Sequence, residues 1–213
     1  ETKFDSTVMV MEQCTVPTAE SASISFWLEK LVKSGRHVML AGPAGTGKTQ
    51  IMNGMLGALT PASHIHLTVN MNFYSSGAVI QAALESPLQK RTGSLFGPPG
   101  AAKLVYFVDD LNLPEVDKYG TQSAIALIRQ HIDYGHWYDI SKLAVKNVDD
   151  CQYVSCLNPT AGSFTVDGRL QRHFTAIAVG MPTATSLLTI YEAFLDGHLD
   201  SQGFSTWVSA VSA

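Results

Sequence analysis

The chain has 213 residues, enough for one domain with a small appendage and too many for a scaffold stapled by metals or disulfides. Hydrophobic residues make up 46% and charged residues 15%, a globular composition whose low charge leaves room for surface covered by partners. A formal net charge of −4 cannot hold nucleic acid or an anionic membrane by charge alone, so neither is expected as a partner.

Three cysteines, Cys14, Cys151 and Cys156, make no disulfide framework and fit a reducing, intracellular compartment. No apolar run approaches the ~20 residues of a spanning helix or carries the flanks of a signal peptide. The first residue is Glu1, and the chain reads as a piece of something longer.

Thr18 is placed to cap a first helix to about Ser34, on which Ile24, Trp27, Leu28 and Leu31 recur at helical spacing, with Trp27 expected in the core. Gly35 ends it, and His37–Ala41 is the first of five short apolar strands. A helix from Gly47–Lys48 to about Leu59, a strand at Ile65–Met71 and a helix at about Gly77–Gln89 follow. Thr92 to Gly100 is too rich in Gly and Pro for either element and is expected to be an inserted loop or hairpin. Then come a strand at Leu104–Asp109, a helix at about Tyr119–Tyr134, strands at Tyr153–Leu157 and Thr175–Val179, and a last helix at Ser186–His198. This alternation predicts an α/β fold, a five-stranded parallel sheet flanked by helices.

Gly42-Pro43-Ala44-Gly45-Thr46-Gly47-Lys48-Thr49 matches the phosphate-loop pattern in full, after a strand and before a helix. Its glycines let backbone N–H groups turn toward phosphate oxygens, the helix N-terminus adds partial positive charge, and Lys48 can reach the β and γ phosphates. Thr49 carries the hydroxyl suited to Mg²⁺.

The strand ending in Asp109-Asp110 has the pattern that brings a carboxylate beside the phosphate loop, with Asp109 serving Mg²⁺. ATPases of this architecture usually carry Glu at the next position to polarise the attacking water. Asp110 is one methylene shorter, and a misplacement of about 1 Å can cost on the order of 100-fold, which makes binding a firmer expectation than turnover. Asn158 reaches the same edge on another strand, either as a polar sensor of the γ-phosphate or as the start of an Asn-Pro turn. Arg169 and Arg172 precede the last strand, where an arginine can act in trans on a neighbour's nucleotide.

Two other features carry less. His64 and His66 alternate on a strand, and Cys151 and Cys156 stand five apart, with no completing set of metal ligands and no partner for a catalytic cysteine. Phe73, Tyr74, Trp137 and Tyr138 lack the basic interleaving of a base-stacking platform and are expected in core or inter-module packing.

The text around these motifs is more specific. Val16-Pro17-Thr18, Phe107-Val-Asp-Asp-Leu-Asn-Leu-Pro114, Lys118-Tyr-Gly-Thr-Gln122, Leu127-Ile-Arg-Gln-His131, Trp137-Tyr-Asp139, Asn158-Pro-Thr-Ala-Gly-Ser-Phe164 and Arg169-Leu-Gln-Arg-His-Phe174 resemble the third AAA+ module of axonemal dynein heavy chains, outer-arm beta type. The resemblance runs from about Val16 to about Leu199.

It implies a P-loop NTPase fold of the AAA+ type, with residues 1–182 as the α/β subdomain and 183–213 as the start of a helical lid. It implies ATP or ADP with Mg²⁺ as ligands, Gly42 to Thr49 on the phosphates, Val16 to Thr18 at the adenine, Thr49 and Asp109 at the metal and Asn158 as sensor. Asp110 then stands at the catalytic position, and Arg172, with Arg169 as fallback, serves the preceding module's site. With only the first lid helix present, one wall of the pocket is expected to be missing.

The implied parent is an ATP-driven, minus-end-directed motor of cilium or flagellum, reaching the microtubule through a stalk. Its partners are neighbouring modules of the same chain and other dynein heavy, intermediate and light chains, in the cytoplasm and axoneme. This module is then a regulatory site. The alternative is a freestanding AAA+ ATPase that remodels protein or nucleic acid.

Overall fold

In the computed structural model the described residues are 4, 5, 7, 14–160 and 165–202. In chain order they form α1 (Ala19–Lys33), β1 (His37–Ala41), α2 (Lys48–Ala58), β2 (His64–Asn70), α3 (Gly77–Glu85), β3 (Gln89–Lys90), β4 (Leu95–Gly97) and β5 (Lys103–Asp109). There follow α4 (Ser123–Tyr134), β6 (His136–Tyr138), β7 (Val145–Val148), β8 (Cys151–Leu157), α5 (Gly168–Gln171), β9 (Phe174–Ala178) and α6 (Ala184–Ser201).

The five expected strands form one sheet in the order β2-β5-β8-β1-β9, and every neighbouring pair is parallel. Alternation along the central strands β1, β5 and β8 feeds two cores, as a parallel sheet covered on both faces requires. Tyr106 and Val108 of β5, Tyr153 of β8 and Met39 of β1 meet Leu84 of α3 and Ile125 and Ile128 of α4. On the opposite face Val105, Phe107, Val154, Val38 and Leu40 meet Leu28 and Val32 of α1 and Met52 and Leu56 of α2.

Local chemistry sets the element ends. Thr18 caps α1 through a capping box with Ser21, each side chain bonding the other's backbone N–H. The helix expected from Tyr119 starts instead at Ser123. Asp117 accepts hydrogen bonds from the N–H groups of Tyr119 and Thr121 and from the Thr121 hydroxyl, which holds the intervening residues in a closed loop. The helix expected to reach Gln89 stops at Glu85, because Pro87 follows and the chain turns into β3.

Trp27 is not in the core: it is 58% exposed on the outer side of α1, edge-on to Phe26, while Leu28 turns inward. Phe73 and Tyr74 are exposed as well, whereas Trp137 is fully buried.

A second sheet, β3-β4-β7-β6, has no counterpart among the expected elements beyond the hairpin anticipated near Thr92 to Gly100. That hairpin is β3–β4, and β4 pairs in parallel with β7 of a second hairpin, β6–β7, which follows α4 directly at Gly135. One carboxylate joins this sheet to the main body. Glu85 accepts hydrogen bonds from Trp137 Nε1 at 2.8 Å, Gln81 Nε2 at 2.9 Å and Lys146 Nζ at 2.8 Å.

Beneath the N-terminal edge of the main sheet His37 Nδ1 accepts a hydrogen bond from Tyr153 N, and His131 bonds Tyr153 Oη and the Val148 carbonyl. Burial holds both imidazoles below their ordinary pKa, His37 down to about 4 from 6.5. As pH falls through 6.5 the unfolded chain takes up the His37 proton and the folded chain does not until about 4, so this part of the stability is complete above 6.5 and is lost on acidification toward 4. Replacing the imidazole by an amide that keeps the acceptor, His37→Asn, is expected to flatten the stability profile between those two values, read by urea denaturation at a series of pH values.

Candidate nucleotide site

Parallel strands bring their C-terminal ends to one edge, and three of the five converge there with the expected residues. The Gly42–Thr49 loop leaves β1 next to the ends of β8 and β9. Gly42 N donates to the Leu157 carbonyl at 3.2 Å, and Val179 N donates to the Ala41 carbonyl at 2.8 Å. A Cβ at Gly42 would lie 2.1 Å from the Val179 carbonyl oxygen, so only glycine fits where the loop begins. Gly45 and Gly47 take left-handed φ values of 80° and 78°, the second as the N-cap of α2.

Lys48 Nζ donates to the carbonyls of Gly42 at 2.9 Å and Pro43 at 2.7 Å, which holds the ammonium over the loop. Thr46 is buried and its hydroxyl donates to the Pro43 carbonyl. The Thr49 hydroxyl donates to Asp109 Oδ2 at 2.9 Å, so the two expected Mg²⁺ groups, 60 residues apart in sequence, are already side by side. This donor set of one hydroxyl, one carboxylate, a fixed ammonium and a glycine-lined helix N-terminus fits a nucleotide phosphate with Mg²⁺, which keeps several waters and needs few protein ligands.

Asp110 is exposed, with φ of 53° and its N–H donating to Asp109 Oδ1 at 3.1 Å. Partial burial of its carboxyl and then the charge of Asp109 beside it raise its pKa, against the pull of Lys48. Leu113 N donates to the Asp110 carbonyl, closing a tight turn. Asn158 follows β8; its Oδ1 accepts from Thr160 N at 3.1 Å and Thr160 Oγ1 at 2.9 Å. The carboxamide oxygen thus closes the Asn-Pro turn, and the Nδ2 hydrogens are left as donors at the sheet edge. Of the motif that begins at Asn158, residues 161–164 lie outside the described residues.

A cleft of about 590 Å³ adjoins the loop, within the size of small-ligand sites. Val16, Thr18 and Ile24 form one side, Gly45 to Gly47 the floor, and Met181, Leu187 and Ile190 the other side. Pro17 is exposed and is not among the lining residues. Helix α6 contributes to this wall through Leu187 and Ile190, and Glu20 of α1 accepts from Ser186 Oγ at 2.7 Å, fixing the start of α6 against the capped end of α1.

Arg172 lies at the other edge. It precedes β9, whose residues pair from His37↔Phe174 to Ala41↔Ala178 with β1, so about five residues at ~3.3 Å each separate it from the phosphate loop of its own chain. Its Nη2 donates to Asp133 Oδ1 at 3.0 Å, and Asp133 also meets His173 at 2.8 Å and Arg129 at 3.4 Å. Arg169 is exposed on α5, and its backbone N–H bonds the capping Asp167.

Residue types alone did not single out Asn112, which is buried and whose Nδ2 donates to the Asn158 carbonyl at 2.9 Å. No motif reading separates such an asparagine from a loop residue. Cys156 lies under the site, but burial and then Asp109 push its thiol well above the ordinary range, which leaves it protonated. Burial likewise pushes the Cys151 thiol up to about 12. No group of three or more His, Cys, Asp or Glu among the described residues is placed to hold a metal.

Gly42→Ala is expected to destabilise the chain by about 1–3 kcal/mol through overpacking against Val179, measured by urea denaturation, with loss of nucleotide binding because the loop is displaced.

A family model described as the P-loop containing dynein motor region matches residues 3–182. Among similar proteins, dynein axonemal heavy chain 9 of Homo sapiens is 47% identical over 196 residues, 92% of this chain and 4% of that protein. The ciliary dynein beta chain of Tripneustes gratilla is 46% identical over 202 residues, 95% of this chain and 4% of its own length. The flagellar outer-arm dynein alpha chain of Chlamydomonas reinhardtii is 47% identical over 190 residues, 89% and 4% respectively. The chain spans about 4% of the length of these relatives. With a complete phosphate loop on a five-stranded parallel sheet, it belongs to the axonemal dynein heavy-chain family, as an AAA+ module of the P-loop motor region.

Proposed function

We propose that this module binds ATP or ADP with Mg²⁺ as a regulatory site, with weak or no hydrolysis, in the third position of a motor ring. The observation that carries the reading is the cluster of Lys48, Thr49 and Asp109 at the phosphate loop with the short Asp110 carboxylate beside it. In this reading the backbone N–H groups of Gly45 to Lys48 and the Lys48 ammonium hold the phosphates, and Thr49 and Asp109 hold the metal. Val16 and Thr18 border the base, and Asn158 senses the γ-phosphate. Bound Mg²⁺ would neutralise phosphate charge.

Asp110 stands where hydrolytic sites carry Glu, and its carboxylate falls short by one methylene. Water activation is blunted, and bound nucleotide acts mainly as a signal to the ring. Arg172, or failing that Arg169, serves the site of the preceding module, a role supported by its place at the edge opposite its own phosphate loop.

Residues 1–182 act as the α/β subdomain and 183–213 as the start of the lid. The parent heavy chain is then an ATP-driven, minus-end-directed microtubule motor of the cilium or flagellum axoneme, with neighbouring modules and other dynein heavy, intermediate and light chains as partners. The axonemal names of the relatives support this location.

Lys48→Ala is expected to weaken binding of fluorescent ATP and ADP to the purified chain by at least about tenfold, a loss of about 1.4 kcal/mol or more. Unchanged affinity would overturn the reading. Asp110→Glu is expected to raise phosphate release from ATP, measured at saturating nucleotide; equal rates would mean that Asp110 does not limit turnover.

A further inference from the structure

We infer that Asn112 is a positioning residue that sets the place of Asn158, and through it the preference of the site for a nucleoside triphosphate over a diphosphate. The inference rests on the reading of the loop as a nucleotide site with Asn158 as its γ-phosphate contact.

The ladder of the central strand ends just before Asn158. The Leu157 carbonyl is taken by Gly42 N and the Cys156 carbonyl by Leu111 N, so the last two residues of β8 are bound to the phosphate loop on one side and to the carboxylate turn on the other. Pro159 has no N–H and cannot extend the pairing. Among the described residues, Asn112 is the side chain that holds the Asn158 main chain from across the site. Asn112 Nδ2 donates to the Asn158 carbonyl at 2.9 Å, and Asn112 Oδ1 receives the Asn158 N–H at 3.5 Å.

The Nδ2 end of this side chain thus holds the Asn158 carbonyl, and its Oδ1 end lies at the outer limit of hydrogen-bond reach from the Asn158 N–H, 46 positions away. Asn112 is only 4% exposed, so the grip is shielded from competing water. It also sits inside the turn closed by the Leu113 N–H and the Asp110 carbonyl, which ties it to the end of β5 that carries Asp109 and Asp110.

Freed of Asn112, the main chain at Asn158 can rotate, and the Nδ2 donors move with it. Loss of a hydrogen bond to a charged phosphate oxygen costs on the order of tenfold or more in affinity. Groups that touch the α and β phosphates do not depend on Asn158, so the loss falls on the triphosphate.

The test compares wild type, Asn112→Ala, Asn158→Ala and the double variant, using fluorescent ADP and a fluorescent non-hydrolysable ATP analogue with Mg²⁺, alongside thermal melting. Asn112→Ala is expected to lower the ratio of triphosphate to diphosphate affinity by about tenfold while ADP affinity stays within about twofold. The double variant is expected to match Asn158→Ala, because a positioning residue has nothing left to position. Additive effects on the ratio, equal losses for both nucleotides, or an unchanged ratio would each overturn the inference. Should Asn112→Ala not fold, Asn112→Ser, which retains a polar atom, is held to the same criteria. Wild-type chain that binds neither nucleotide would overturn the nucleotide reading itself, whereas binding with a ratio indifferent to Asn112 would overturn only this assignment.

Discussion

The seating of β1 between β8 and β9 is the constraint on which the remaining structure depends. At its end the chain must turn away within reach of the Val179 carbonyl, and the missing side chain of Gly42 is what allows it. Any residue with a Cβ would push the loop off the sheet. The left-handed Gly45 and Gly47 would then no longer bring α2 to start at Lys48. The position of the Lys48 ammonium, the pairing of Thr49 with Asp109 and the floor of the adjoining cleft all follow from that one close approach.

The parallel sheet gives the module two chemically different edges. The C-terminal edge gathers the ammonium, the two adjacent carboxylates and Asn158, with β8 bonded to both of the loops beside it. At the N-terminal edge Asp133 collects Arg129, Arg172 and His173. Partial burial pushes that carboxyl up, but the Arg172 hydrogen bond and the neighbouring cations outweigh it and hold it ionised. The arginine and the phosphate loop therefore stand at opposite edges of the sheet.

The small second sheet makes a different physical point. Its strands are two to four residues long, too short to show a period, and most of their side chains are partly or fully exposed. Glu85 stabilises it from the end of α3 by bonding Trp137, Gln81 and Lys146 at once. Leaving the indole N–H of buried Trp137 without that acceptor would cost on the order of 1–3 kcal/mol, enough to matter for so small an element.

The five main strands and the phosphate loop were legible in the residues themselves, because the central strands β1, β5 and β8 are buried along most of their length and run largely apolar, the edge strands keep short apolar runs between turn residues, and a phosphate loop must carry glycine, lysine and threonine at set spacings. Thr18 as a cap was legible for the same reason, since its hydroxyl needs only the residues that follow it. Trp27 misled because helical spacing defines a stripe without saying how wide it is, and α1 buries Leu28 and Val32 while Trp27 falls at the solvent edge. The start of α4 misled because Asp117 competes for the backbone N–H groups of the residues that follow it. The amino-acid sequence by itself determined the fold class, the phosphate loop and the Asp109-Asp110 pair. Tertiary structure alone decided the second sheet, the contact of Thr49 with Asp109, the grip of Asn112 on Asn158 and the separation of Arg172 from its own loop, because each joins groups tens of residues apart whose approach is set by strand order and not by any local pattern.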